Sequence, residues 1–320
     1  MMKMKIKRKA FENVKKEWKW LVPLLSFVIL ASIIAIDKNS YGSVAESEKI
    51  QPDDRDNYAV FATEIPEELS FAGEDVPLAF FDVRESLDRE LVSNMYFHSQ
   101  SIRYIKLANR YFPEIEKILL ENELPADFKY LAIAESGLEN VVSPAGAVGF
   151  WQITKGTGID YGLEINEEVD ERYHLEKATK VACDYLRESY DKYGNWTMAA
   201  ASYNAGRRGI DRQVDRQKQE NYYDLLLNDE TSRYIFRILA FKLILENPSD
   251  YGFQLSQMDL YKSIEYDTVL VTGPVADFAD FAAEHNTNYK LLKFMNPWLR
   301  ENKLTNSRSK TYVIRIPLGR

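Results

Sequence analysis

From Pro77 to about Ser249 the chain repeats apolar residues at intervals of three and four, with no sustained apolar-polar alternation. That period puts the apolar side chains on one face of successive helices, so this segment is restricted to a core of helix packed on helix. In "HLEKATKVACDYLRESYDKYG" the stripe is Leu175, Ala178, Ala182, Tyr185 and Leu186, and Gly194 stops it. "YFPEIEKILLENELP" supplies Ile115, Ile118 and Leu119 before the break at Pro125. "DFKYLAIAES" adds Phe128, Leu131, Ala132 and Ala134 and ends at Gly137, and "WTMAAASYNAG" and "SRYIFRILAFKLIL" are two further apolar helices. The expected architecture is mainly α, with a helical domain over residues 77–250.

The chain before it has a different texture. Residues 1–19 carry eight Lys or Arg against two Glu, and Trp20–Ile36 then runs for 17 residues without a charge. Residues 1–45 are expected to form a cytoplasmic basic segment and a membrane anchor, with the basic end inside and the rest of the chain on the extracytoplasmic side. A small-residue site at Ser43–Ser47 lies well beyond the apolar run, which favours an uncleaved anchor over a removed signal. Residues 46–76, rich in Asp and Glu, read as a flexible linker. The net charge of −8 becomes −14 once the +6 of residues 1–19 is set aside, an acidic exterior that argues against nucleic acid as a partner. One cysteine, Cys183, excludes an intrachain disulfide, and His98, His174 and His285 lack metal-ligand spacing. No cofactor and no metal are expected.

One acid stands out. Glu135 sits among small and apolar residues in the last turn of a helix, where desolvation and the negative end of the helix dipole both disfavour its charge. An acid held neutral near pH 7 suits general acid catalysis. After it comes "SPAGAVG", a chain able to run close to a ligand, and Gln152, Tyr203 and Asn204 add hydrogen-bonding groups to apolar segments. Such a cleft fits a neutral sugar. The alternative is a helix-end Glu turned to solvent, with Gln152 and Asn204 serving buried backbone and the tyrosines serving the core.

"ESGLENVVSPAGAVGFWQ", "AAASYNAG" and "ETSRY", in that order, resemble the signature segments of the lytic transglycosylases of glycoside hydrolase family 23, which have a goose-lysozyme-like fold. Phe150-Trp151 stands where Leu-Met is usual, and the segment from Glu135 to Ser143 is one residue shorter than in many relatives. The resemblance implies cleavage of peptidoglycan glycan strands by a single Glu. Glu135 would protonate the oxygen linking N-acetylmuramic acid to N-acetylglucosamine, then take the proton of the muramoyl 6-hydroxyl as a 1,6-anhydro ring closes. It also implies that Ser143 meets the muramoyl side chain or acetamido group and that Gln152 bonds sugar near the scissile link. Tyr203, Asn204 and Tyr234 would form the cleft wall.

At residues 264–320, "DTVLVTG" and "TYVIRIP" bracket two short amphipathic helices, and this β-α-α-β order resembles a LysM sugar-binding module. "TGPVAD" replaces the usual Gly-Asp-Thr turn. If the module only tethers glycan, removing it should spare cleavage of short soluble fragments and weaken action on intact sacculi. Two other functions stay open on sequence alone. One is a catalytically silent peptidoglycan-binding scaffold. The other is a water-using muramidase of the same fold, which would need a second acid such as Glu139, Asp160 or Asp170. Protein partners are not specified by any motif.

Overall fold

The computed structural model describes residues 60–318, which pack as one compact unit from Phe61 onward. The anchor expected at residues 20–36 lies outside the described residues, and among these no helix is long and apolar enough to cross a membrane.

The order begins with a two-residue hairpin, β1 (Ser70–Phe71) and β2 (Glu74–Asp75), followed by helices α1 (Phe81–Met95), α2 (His98–Glu121) and α3 (Phe128–Ser136). Then come α4 (Lys155–Asp160), α5 (Leu175–Tyr193), α6 (Trp196–Ala205), α7 (Arg207–Gln217) and α8 (Asp229–Glu246). The stripes read from sequence face inward: Ile115, Leu119, Phe128, Leu131, Ala132, Ala178, Ala182 and Leu186 are all buried. Gly194 ends α5 in the left-handed region, as its position after the last apolar residue required.

The linker expectation fails over its last residues. Phe71 is fully buried with its ring 5.5 Å from that of Phe128, and Val76 is buried as well. The acids that suggested an unpacked tether are partly consumed by helix ends. Glu74 accepts from the Trp196 and Thr197 backbone amides and so serves the free N–H groups that open α6. Acidic composition pointed to disorder; two apolar residues and a helix start in need of acceptors decided otherwise.

The tail has the expected β-α-α-β order: β3 (Tyr266–Val271), α9 (Phe278–Glu284), α10 (Tyr289–Met295) and β4 (Tyr312–Pro317), with β3 and β4 antiparallel from Tyr266↔Pro317 to Val271↔Tyr312. Its core is not its own. Phe278, Leu292, Trp298 and Ile314 share one cluster with Val148, Val169 and Tyr173 of the helical body. The joint continues in backbone pairing, with the Asp170 amide donating to Trp298 O at 2.9 Å and the Arg300 amide to Glu168 O at 2.8 Å. Arg315, largely buried, lies 2.6 Å from both Glu114 and Glu176. A module of 57 residues (264–320) is short of core, and borrowing apolar surface from a neighbour supplies the deficit.

Candidate active site

Glu135 is in the last turn of α3, which Gly137 closes at φ +64°. The close approach of the Tyr104 ring to Gly137 leaves no room for a Cβ there. Glu135 is half-buried as a residue, while its carboxyl end is desolvated by the surrounding protein. Burial pushes its pKa up to about 7, the nearby Glu230 charge adds to the rise, and a hydrogen bond from Tyr234 and the charge of Arg237 oppose it. The donor of that bond, the Tyr234 hydroxyl, projects from α8 to Glu135 Oε1. Tyr234 is 2% exposed, and burial beside Glu135 holds its phenol well above the usual range, so it remains a neutral donor.

The loop after α3 is held by its own backbone. Val142 bridges Val148, and Val148 bridges Ile153. Ser143 pairs with Ala147 through the backbone and accepts a further bond from the Ala147 amide on its hydroxyl, at 3.0 Å. Gly149, at φ +79°, passes so near the Arg172 carbonyl that a Cβ would overlap it. Arg172 braces the loop from behind. Its guanidinium forms two bonds to Asp170, at 3.0 and 2.7 Å, and reaches the carbonyls of Gly146 and Ile153. Gln152 takes a left-handed backbone at φ +45°, a conformation that costs a non-glycine residue energy and is concentrated at functional sites. Its amide nitrogen donates to Gly149 O at 2.8 Å and Val141 O at 3.2 Å.

Phe150 and Trp151, the departure from the usual pair, are both buried. Trp151 donates its indole N–H to Thr179 on α5 at 2.8 Å, so the larger ring is satisfied as well as packed. The Trp151 carbonyl accepts from the Tyr203 hydroxyl at 2.7 Å. Asn204 follows on α6 and is held by the first turn of α8: its amide nitrogen donates to Glu230 at 3.1 Å, and its oxygen accepts from the Thr231 hydroxyl at 2.8 Å.

Three helices, α3, α6 and α8, with the loop after α3, thus carry the residues singled out in the sequence. Tyr234 touches Glu135 directly, Tyr203 lies within electrostatic reach of it and ties down the backbone next to Gln152, and Asn204 is joined through Glu230. Ser143 stands apart, its hydroxyl engaged inside its own loop. Of the acids a water-using reaction would call on, Asp170 is paired with Arg172 and Glu139 with Arg103, while Asp160 is exposed on α4. Glu230 and Arg172 escaped the sequence reading as parts of this site, and Asp170, weighed there only as a second acid, instead holds Arg172. Glu230 had a signal, since it opens the quoted "ETSRY". A cavity of about 620 Å³ lies elsewhere, between α2, the start of α5 and the tail, with Tyr111, His174, Phe294 and Trp298 in its walls.

The family model of the transglycosylase SLT domain matches residues 114–226. A soluble lytic transglycosylase C-terminal LysM-like domain follows, matched at residues 267–320. The chain is similar to the membrane-bound lytic murein transglycosylase D of Escherichia coli (strain K12), at 28% identity over 224 residues, 67% of this chain and 48% of that protein. The protein of the same name from Escherichia coli O6:H1 matches to the same extent. The chain spans about half the length of the curated relatives it matches.

Proposed function

We propose that the protein is a peptidoglycan lytic transglycosylase that cleaves the bond from N-acetylmuramic acid to N-acetylglucosamine with Glu135 as its one acid and base. The observation that carries this reading is the Glu135 carboxyl itself. Enclosed, with a pKa of about 7 and a neutral Tyr234 donor on Oε1, it is suited to give up a proton and take one back near neutral pH. Its O–H protonates the bridging glycosidic oxygen as the C1–O bond breaks, and the N-acetylglucosamine end leaves as an alcohol. The muramoyl O6 then bonds to C1 while its proton passes to the Glu135 carboxylate. Glu135 is restored, and no water enters the product.

The engagement of Asp170 and Glu139 by arginines supports one acid over two, because glycosidases that use water place a second free carboxylate across the bond. Gln152 contacts sugar beside the scissile link, its strained backbone presenting a side chain already fixed at the nitrogen. Tyr203 and Asn204 wall the cleft and hold the acetamido group, and Ser143 shapes the loop that meets the muramoyl side chain. The LysM-like domain adds contact with glycan strands. An anchor at residues 20–36 keeps the enzyme at the membrane with its catalytic domain on the periplasmic side. Mass analysis of products from purified peptidoglycan tests the reaction. Anhydromuropeptides, one water lighter than hydrolysed ones, are expected; hydrolysed products would indicate a muramidase, and no release a binding scaffold.

A further inference from the structure

Glu230 is exposed, in the first turn of α8, where free N–H groups favour a negative charge and an acid ordinarily does nothing more. Here it accepts from the Asn204 amide nitrogen at 3.1 Å while its neighbour Thr231 donates to the amide oxygen at 2.8 Å. An amide held at both ends by groups of opposite hydrogen-bonding character has one orientation. One turn further along the same helix, Tyr234 holds Glu135. Two turns of α8 therefore grip both the acid and the asparagine of the cleft, and the grip on the asparagine is made with a carboxylate.

We propose that Glu230 is a positioning residue for the reaction, which fixes the Asn204 amide and, one turn before Tyr234 on the same face of α8, places a carboxylate on the side of the helix that meets Glu135. The inference rests on Glu135 being the acid. Like charges nearby oppose ionisation, so Glu230 helps keep Glu135 protonated at the pH where the proton is needed. The other groups facing Glu135 do not duplicate it. Tyr203 of α6 and Tyr234 of α8 are neutral phenols. Arg237, also on α8, acts in the opposite sense, and its guanidinium is shared with the buried Glu90 of α1 at 3.7 Å.

The test is Glu230→Gln, which keeps an oxygen for Asn204 and removes the charge. The alkaline limb of the kcat/KM profile, which reports loss of the protonated acid, should move down by a few tenths of a pH unit, because water screens an exposed charge. The Glu135 carboxyl, followed by carbon NMR in the folded protein, should titrate lower by the same amount. Glu230→Ala should show the same displacement and in addition a raised KM, because the Asn204 amide is freed. An unmoved limb and an unmoved titration in Glu230→Gln would overturn the proposal, since a purely structural acid predicts that result. Glu135→Gln run alongside keeps the two readings distinct: turnover persisting in that variant refutes Glu135 as the acid, whatever Glu230 does.

Discussion

Glu135→Gln should stabilise the protein, and do so only at high pH. The carboxyl has an ordinary value of 4.5 and is raised to about 7 in the fold, chiefly by burial. Its folded value is the higher one, so native stability is complete below 4.5 and declines as pH rises through 7, where folding must retain a proton that the unfolded chain has released. The gap corresponds to about 3 kcal/mol once pH exceeds both values. Glutamine matches the shape, can still accept from Tyr234 and carries no titration. Urea unfolding of both proteins at about pH 5 and about pH 8.5 should show the variant gaining about 2 to 3 kcal/mol on the wild type between them. A difference that stays the same at both pH values would refute an enclosed, neutral acid, and the catalytic argument built on it would fall too.

Tyr234→Phe removes a hydrogen bond that favours the Glu135 carboxylate, so the alkaline limb should move up, opposite to Glu230→Gln, while turnover falls roughly tenfold; a pH-rate profile checks both. Gly149→Ala puts a methyl against the Arg172 carbonyl at a positive φ and should cost about 2 kcal/mol or more, read as a lowered Tm with impaired turnover. Removing residues 264–320 should depress cleavage of short soluble fragments and of intact sacculi alike, since Val148, Val169 and Tyr173 lose their cover and Glu114 and Glu176 lose Arg315. Retained activity on short fragments would show that the tail only tethers.

The helices were legible because a period of three and four survives in any context. Glu135 was singled out because an acid among small apolar residues is conspicuous, although that pattern alone equally describes a helix-end Glu turned to solvent. The hairpin at residues 70–75 was not, since what orders it is Phe128, far along the chain, and a helix start at Trp196 that needs acceptors. The brace of Asp170 and Arg172 was hidden for a related reason: its targets are the carbonyls of Gly146 and Ile153, and backbone acceptors leave no mark in a residue pattern. Glu230 shows the limit of burial as a guide. An exposed acid at a helix start has an ordinary explanation, and only the position of Asn204 reveals a second use.

The shared cluster beneath β4 bears on how such chains change over evolutionary time. A domain with a closed core can be exchanged, duplicated or lost with little effect on its neighbour. Here Trp298 and Leu299 complete a wall whose other half is Val169 and Tyr173, and the segment bearing those residues leads to Arg172 and the loop of Gln152. The apolar face of the tail therefore packs on the segment that carries Arg172, the brace of the Gln152 loop, and a foreign sugar-binding domain spliced at residue 264 would have to reproduce that wall before it could add any affinity.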